Sequence, residues 1–127
     1  MNTLIAVTLL MLVQYFFFGA LVVRARSTWK VPAPSMTGPE RFERVARVHL
    51  NTQERLVMML PLMATAAHFW NPIWVAVPGV LFVLGRLVYW KGYVEQPAKR
   101  LPGNILTVIA LGLCLLATVA GLVKSAL

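Results

Sequence analysis

Arg47, His49, Asn51 and Glu54 stand in an Arg-x-His-x-Asn-x-x-Glu order directly before a long apolar run. Arg44, Arg47, Asn51 and Glu54 recur at steps of three and four, which keeps them on one face of a helix. A second stripe, Arg86, Tyr89 and Tyr93, follows the same spacing, with Arg100 seven residues beyond. A charged side chain near the centre of a bilayer costs about 2.5–3.5 kcal/mol on insertion scales. Side chains of this kind on one stripe therefore point to a polar ligand or cavity.

The elements that must position these groups are long and apolar. The chain has 127 residues, of which 59% are hydrophobic, and a mean hydropathy of +0.73. That is far above the usual soluble composition and marks an integral membrane protein. Four segments are expected as helices, roughly 3–26, 40–69, 72–96 and 103–125. About 20 residues at 1.5 Å each cover a hydrocarbon core of about 30 Å. Breaks fall at Pro32, Pro34, Gly38 and Pro39, at Asn71-Pro72, and at Pro97 through Pro102-Gly103. Connections this short predict an all-α, up-down four-helix transmembrane bundle, with residues 1–127 as one domain. Gly112 and Gly121 are expected to serve as close packing sites within the last helix.

The net charge of +8 does not signal nucleic acid, because the basic residues gather in two connections. Arg24, Arg26, Lys30, Arg41, Arg44 and Arg47 border the first, and Lys91, Lys99 and Arg100 the third. These connections share one side of the membrane, which the positive-inside rule makes cytoplasmic, with both termini outside. The first segment has basic residues after it rather than before it, so it is expected to remain as a helix and not to be cleaved. Cys114 is the single cysteine, which excludes a dithiol centre within one chain, and His68 has no ligand-type neighbours, so no metal is expected. Trp29, Trp70, Trp74 and Trp90 lie near segment ends, as an interfacial belt would place them. Glu40 with Arg44, and Glu43 with Arg47, are spaced to form i,i+4 ion pairs.

The run Thr37-Gly-Pro39-Glu-Arg-Phe42-Glu43-Arg44-Val-Ala-Arg47-Val-His49-Leu-Asn51-Thr-Gln-Glu54, together with Gly85-Arg86-Leu-Val-Tyr89-Trp-Lys-Gly92-Tyr93 and Arg100, resembles the MAPEG family. These are the membrane-associated proteins of eicosanoid and glutathione metabolism. The first motif looks like the microsomal glutathione transferase and prostaglandin E synthase branch, and the second like the leukotriene synthase branch. The resemblance implies a homotrimer of four-helix subunits in the lipid bilayer that binds glutathione as cosubstrate, between neighbouring subunits at the cytoplasmic ends of the helices. Arg26, Arg47, Asn51, Glu54, Tyr89, Tyr93 and Arg100 match family glutathione contacts, and His49 matches a position beside the helix-two arginine in the transferase branch. Guanidinium forks suit glutathione's carboxylates, Glu54 suits its ammonium, and Asn51 and the tyrosines supply directional hydrogen bonds.

Arg100 is the candidate catalytic residue. A thiol titrates near pH ~8.5, and a cation beside it favours the thiolate. The implied activity is a glutathione transferase, with peroxidase activity, acting on hydrophobic small-molecule electrophiles or hydroperoxides. Ser27, where the leukotriene synthases carry a second arginine, disfavours that specialised activity, and Arg55 replaces a tyrosine of that branch. Arg86 is a candidate for a structural role holding the second and third helices, as an ion pair with Glu54 or through backbone carbonyls, and His49 for a helix-packing hydrogen bond rather than a catalytic base. The alternative function is a nonenzymatic lipid-binding scaffold of the same family. A small multidrug exporter is disfavoured because the first segment lacks the acid that proton coupling needs. The short chain fits a prokaryotic inner membrane.

Overall fold

Helix α1, Asn2–Trp29, opens the fold in a computed structural model that describes residues 1–127. It runs past Arg26 because the stop comes later, at Lys30, whose φ of 52° is left-handed. There the Val31 N–H donates to the Arg26 carbonyl at 3.0 Å, and buried Val31 seals the turn against Val22 and Ala25. This is the Schellman pattern of a helix end, with Lys30 where glycine is more usual.

α2 covers Glu40–Phe69 and α3 covers Pro72–Glu95. Glu43 does not pair with Arg47; its Oε1 accepts from the Gly38 N–H at 3.0 Å, satisfying a donor at the start of α2. The Glu40–Arg44 pair does form. At the α2–α3 turn, the Asn71 side chain accepts from the Ile73 N–H at 3.0 Å, and Pro72 occupies the first helical turn, where no N–H is needed. A short 3₁₀ turn, Pro97–Arg100, then leads into α4, Leu101–Ala126.

α1, α3 and the segment Pro97–Ala126 are each long and apolar enough to cross a membrane. α2 has the length, but its first half carries the charges, so its apolar part begins only near Leu56. Large apolar side chains such as Phe16 and Leu116 point outward, which is the arrangement lipid demands and water forbids. The chain is an integral membrane four-helix protein. Its main core, with Met11, Met59, Met63, Phe82 and Leu111, occupies the end of the bundle away from the arginines.

Two glycines decide how close α3 and α4 come. A Cβ on Gly103 would collide with the Tyr89 backbone, and one on Gly85 would meet Thr107 and Leu106 at 3.0 Å. Gly121 is likewise filled against Phe69, but Gly112 faces open space and packs on nothing, contrary to the expectation for it.

Candidate functional site

Arg86 is fully buried where α2 meets α3, and it organises the polar end of the bundle. Its Nε donates to Thr52 Oγ1 at 3.2 Å and its Nη2 to Asn51 Oδ1 at 3.0 Å. Its Cζ lies 4.0 Å from the centre of the Tyr89 ring. The expected ion pair with Glu54 is not formed. Neutral oxygens and an aromatic face hold the guanidinium instead, because Asn51 and Thr52 lie on the side of α2 that meets α3. A desolvated cation–π contact of this kind is worth about 2 kcal/mol. Nη1 of Arg86 has no partner in the chain.

Asn51 passes the connection outward. Its Nδ2 donates to Glu54 Oε2 at 3.1 Å, and Glu54 Oε1 lies 4.0 Å from Arg47 Nη1. Arg47 and Glu54 are both about half exposed, so the pair is loose and open to an incoming ligand. On the α3 side, Tyr89 and Tyr93 stack at 5.5 Å with 10° between their planes, and Arg100 lies 6.0 Å from the Tyr93 ring centre. Lys99 is taken by Glu95 at 2.5 Å, whereas Arg100 has no carboxylate partner. Arg47, Asn51, Glu54, Tyr89, Tyr93 and Arg100 therefore form one seam across α2, α3 and the 3₁₀ turn. Beside it, a cleft of about 340 Å³ has Glu40, Glu43, Arg44, Arg47, Leu50 and Tyr93 among its lining.

The turn carrying Arg100 is fixed from two directions. Arg44 Nη1 donates to the carbonyls of Val94 and Glu95 at 3.2 and 3.0 Å, holding the last turn of α3 to α2. Gly92 lets the Lys99 backbone lie directly on α3, since a Cβ there would strike the Lys99 carbonyl.

Arg26 and His49 stand apart from this seam. Arg26 Nη1 donates to the Ser35 carbonyl at 2.6 Å, its Nη2 contacts Met36 Sδ at 3.2 Å, and Phe42 lies beneath it at 5.1 Å. His49 stacks on Tyr15 at 4.5 Å and closes against Gly19, beside a second opening lined by Phe16 and Val23. Within one chain neither reaches Arg100 or the tyrosine pair.

Thr52 and Asn104 are the members that sequence reasoning missed. Thr52 occupies the buried stripe Val48, Thr52, Leu56, Met59, so a lone hydroxyl among apolar positions was the available signal. Asn104 Oδ1 accepts from Arg55 Nη2 at 3.3 Å, which ties α2 to the start of α4.

A helical bundle with membrane-spanning helices and with guanidinium and phenol groups gathered at one end defines a membrane protein with an arginine- and tyrosine-bearing polar seam. Residues 4–120 match the MAPEG family, and the chain belongs to that family. It is 32% identical over 122 residues to microsomal glutathione S-transferase 2 of Homo sapiens, covering 96% of this chain and 83% of the relative. It is 33% identical over 98 residues to leukotriene C4 synthase of Bos taurus, covering 77% and 65%. An uncharacterised protein of Synechocystis sp. is 38% identical over 97 residues, covering 76% and 71%.

Proposed function

We propose that the chain is a membrane-bound glutathione transferase that also reduces hydroperoxides, with Arg100 holding the glutathione sulfur as thiolate. The observation that carries this is the seam itself. Arg47 and Arg100 present guanidinium groups at the bundle surface with no tight carboxylate of their own, next to a stacked tyrosine pair. Arg47 receives a glutathione carboxylate, Glu54 and Asn51 take the ammonium and an amide, and Tyr89 and Tyr93 orient the cysteinyl arm toward Arg100. MAPEG membership and relatives named as glutathione S-transferases support that ligand.

Thiolate attack on an electrophilic carbon forms the S–C bond and expels the leaving group with its electron pair. With a hydroperoxide, the sulfur takes the distal oxygen and an alcohol leaves. A second glutathione then reduces the sulfenic acid to the disulfide and water. Both substrates meet at the membrane surface, the anionic tripeptide from water and the lipophilic partner from lipid.

The assembly that fits is a homotrimer. An exposed charged seam on a membrane helix needs cover, and Arg26 and His49, set apart from Arg100 within one chain, become available when a neighbouring copy supplies them. The Arg24–Lys30 and Lys91–Arg100 clusters support a cytoplasmic position for this end, with both termini outside. A prokaryotic inner membrane fits the cyanobacterial relative.

Titration of the purified protein with glutathione, followed by binding heat and by the ultraviolet absorbance of the thiolate, tests the proposal. Turnover of an aryl halide and of a lipid hydroperoxide then separates conjugation from peroxide reduction. Absence of both binding and thiolate formation refutes the enzyme and favours the lipid-binding scaffold.

A further inference from the structure

The opposite end of the bundle carries a second opening with different chemistry. A cleft of about 380 Å³ lies between the end of α2, the start of α3 and the second half of α4. Ala66, Trp70, Trp74, Pro78, Cys114 and Ala117 are among its lining, which is almost wholly apolar. At its mouth the Trp70 indole Nε1 donates to the Ala117 carbonyl at 2.7 Å, so the ring is fixed across α4. Lys124 Nζ lies 5.5 Å from that ring. No carboxylate of the chain pairs with Lys124.

The spacing of these parts matches one molecule. Cys114 and Lys124 are ten residues apart on α4, about 15 Å along the axis. That is about half of the ~30 Å hydrocarbon core, the depth of a single leaflet. An acyl chain reaching from a headgroup beside Lys124 ends at Cys114. Trp74, 73% exposed, stands on the opposite wall at the turn into α3, where an indole borders the headgroup region. The cleft volume is within the roughly 300–1,000 Å³ of sites that enclose small ligands.

We infer that this cleft is a binding site for an anionic glycerophospholipid, with one acyl chain between α3 and α4 and the phosphate on Lys124. The site is independent of the arginine seam and of the glutathione chemistry. Its occupant is chosen by charge: Lys124 is the only lysine or arginine at this end of the bundle, and it is unpaired.

The test uses the full chain in detergent with Trp29 and Trp90 replaced by Phe, so that Trp70 and Trp74 are the remaining fluorophores. Phosphatidylglycerol and phosphatidylcholine, each brominated midway along the acyl chain, are titrated against their emission. Phosphatidylglycerol is expected to reach half-maximal quenching at a several-fold lower mole fraction than phosphatidylcholine. Lys124→Gln should remove about fivefold of that preference, the contribution of one lysine facing an anionic lipid. Ala117→Phe, which fills the cleft from its half-buried wall, should lower the quenching plateau for both lipids, with unchanged helicity and glutathione binding as the folding check. Equal half-points for the two lipids, or a preference that survives Lys124→Gln, overturns the inference. So does disulfide cross-linking between two copies through Leu113→Cys, because the cleft would then be covered by protein.

Discussion

The Arg86 guanidinium sits 4.0 Å over the Tyr89 ring while one of its nitrogens holds Asn51, so a single buried cation aligns a phenol on α3 with an amide on α2. Arg86 is fully buried and has no carboxylate partner. It is a positioning residue, and its influence on the seam passes through Asn51, Thr52 and Tyr89.

Replacing Arg86 with Gln is expected to lower the thermal midpoint and weaken glutathione binding together. The change leaves the buried Thr52 Oγ1 without its donor, at about 1–3 kcal/mol, and takes the guanidinium donor from the half-buried Asn51 Oδ1. Arg86→Lys keeps the charge but not the fork and should recover only part of either loss. Thermal unfolding and calorimetric titration on the same preparations measure both.

Arg47 and Arg100 should separate binding from activation. Arg47→Ala removes a charged hydrogen-bond donor worth about 1.5–3 kcal/mol, raising the glutathione Kd about tenfold or more while the bound thiol still ionises. Arg100→Ala should leave binding within a few-fold and return the thiol toward its free value near pH ~8.5. The thiolate is the charged form, which on the proposed function Arg100 stabilises. Thiolate absorbance in the wild type therefore develops at lower pH than in the variant, and a pH titration of that absorbance shows the difference.

Gly103→Ala and Gly112→Ala should move stability in opposite directions. A methyl group on Gly103 strikes the Tyr89 backbone and forces α4 away from α3, which costs stability and displaces Tyr89. Gly112 has no neighbour within 4 Å, so the alanine there gains the roughly 0.5–1 kcal/mol of a better helix former. Thermal midpoints of the two variants against the parent decide it.

Mixing tests the shared site. If Arg26 of one copy serves a seam containing Arg100 of another, co-expressed Arg26→Ala and Arg100→Ala chains should regain activity above that of either variant alone. Some seams in a mixed assembly then contain both native arginines. Activity no greater than the average of the two variants places Arg26 outside the site.

The arrangement along each helix was legible in the sequence, because Arg47, Asn51 and Glu54 need only the helical period to share a face. Contacts between helices were not. The Glu54 partner expected for Arg86 is displaced by Asn51 and Thr52, a choice made by the rotation of α2 against α3, which no spacing within either segment encodes. The same limit explains Gly112, which faces open space, while Gly103, placed by the sequence only at the opening of the last helix, makes the closest approach. Arg26 and His49 share the polar character of the seam but not its position, because α1 and the connection to α2 hold them elsewhere.

The Arg44 clasp on Val94 and Glu95 and the bare Gly92 surface under Lys99 leave the stretch from Gln96 to Arg100 anchored at both ends. On the proposed function, a tripeptide reaching this corner meets a backbone turn already fixed beneath Arg100. The entropy lost on binding then falls mainly on the flexible visitor rather than on its host.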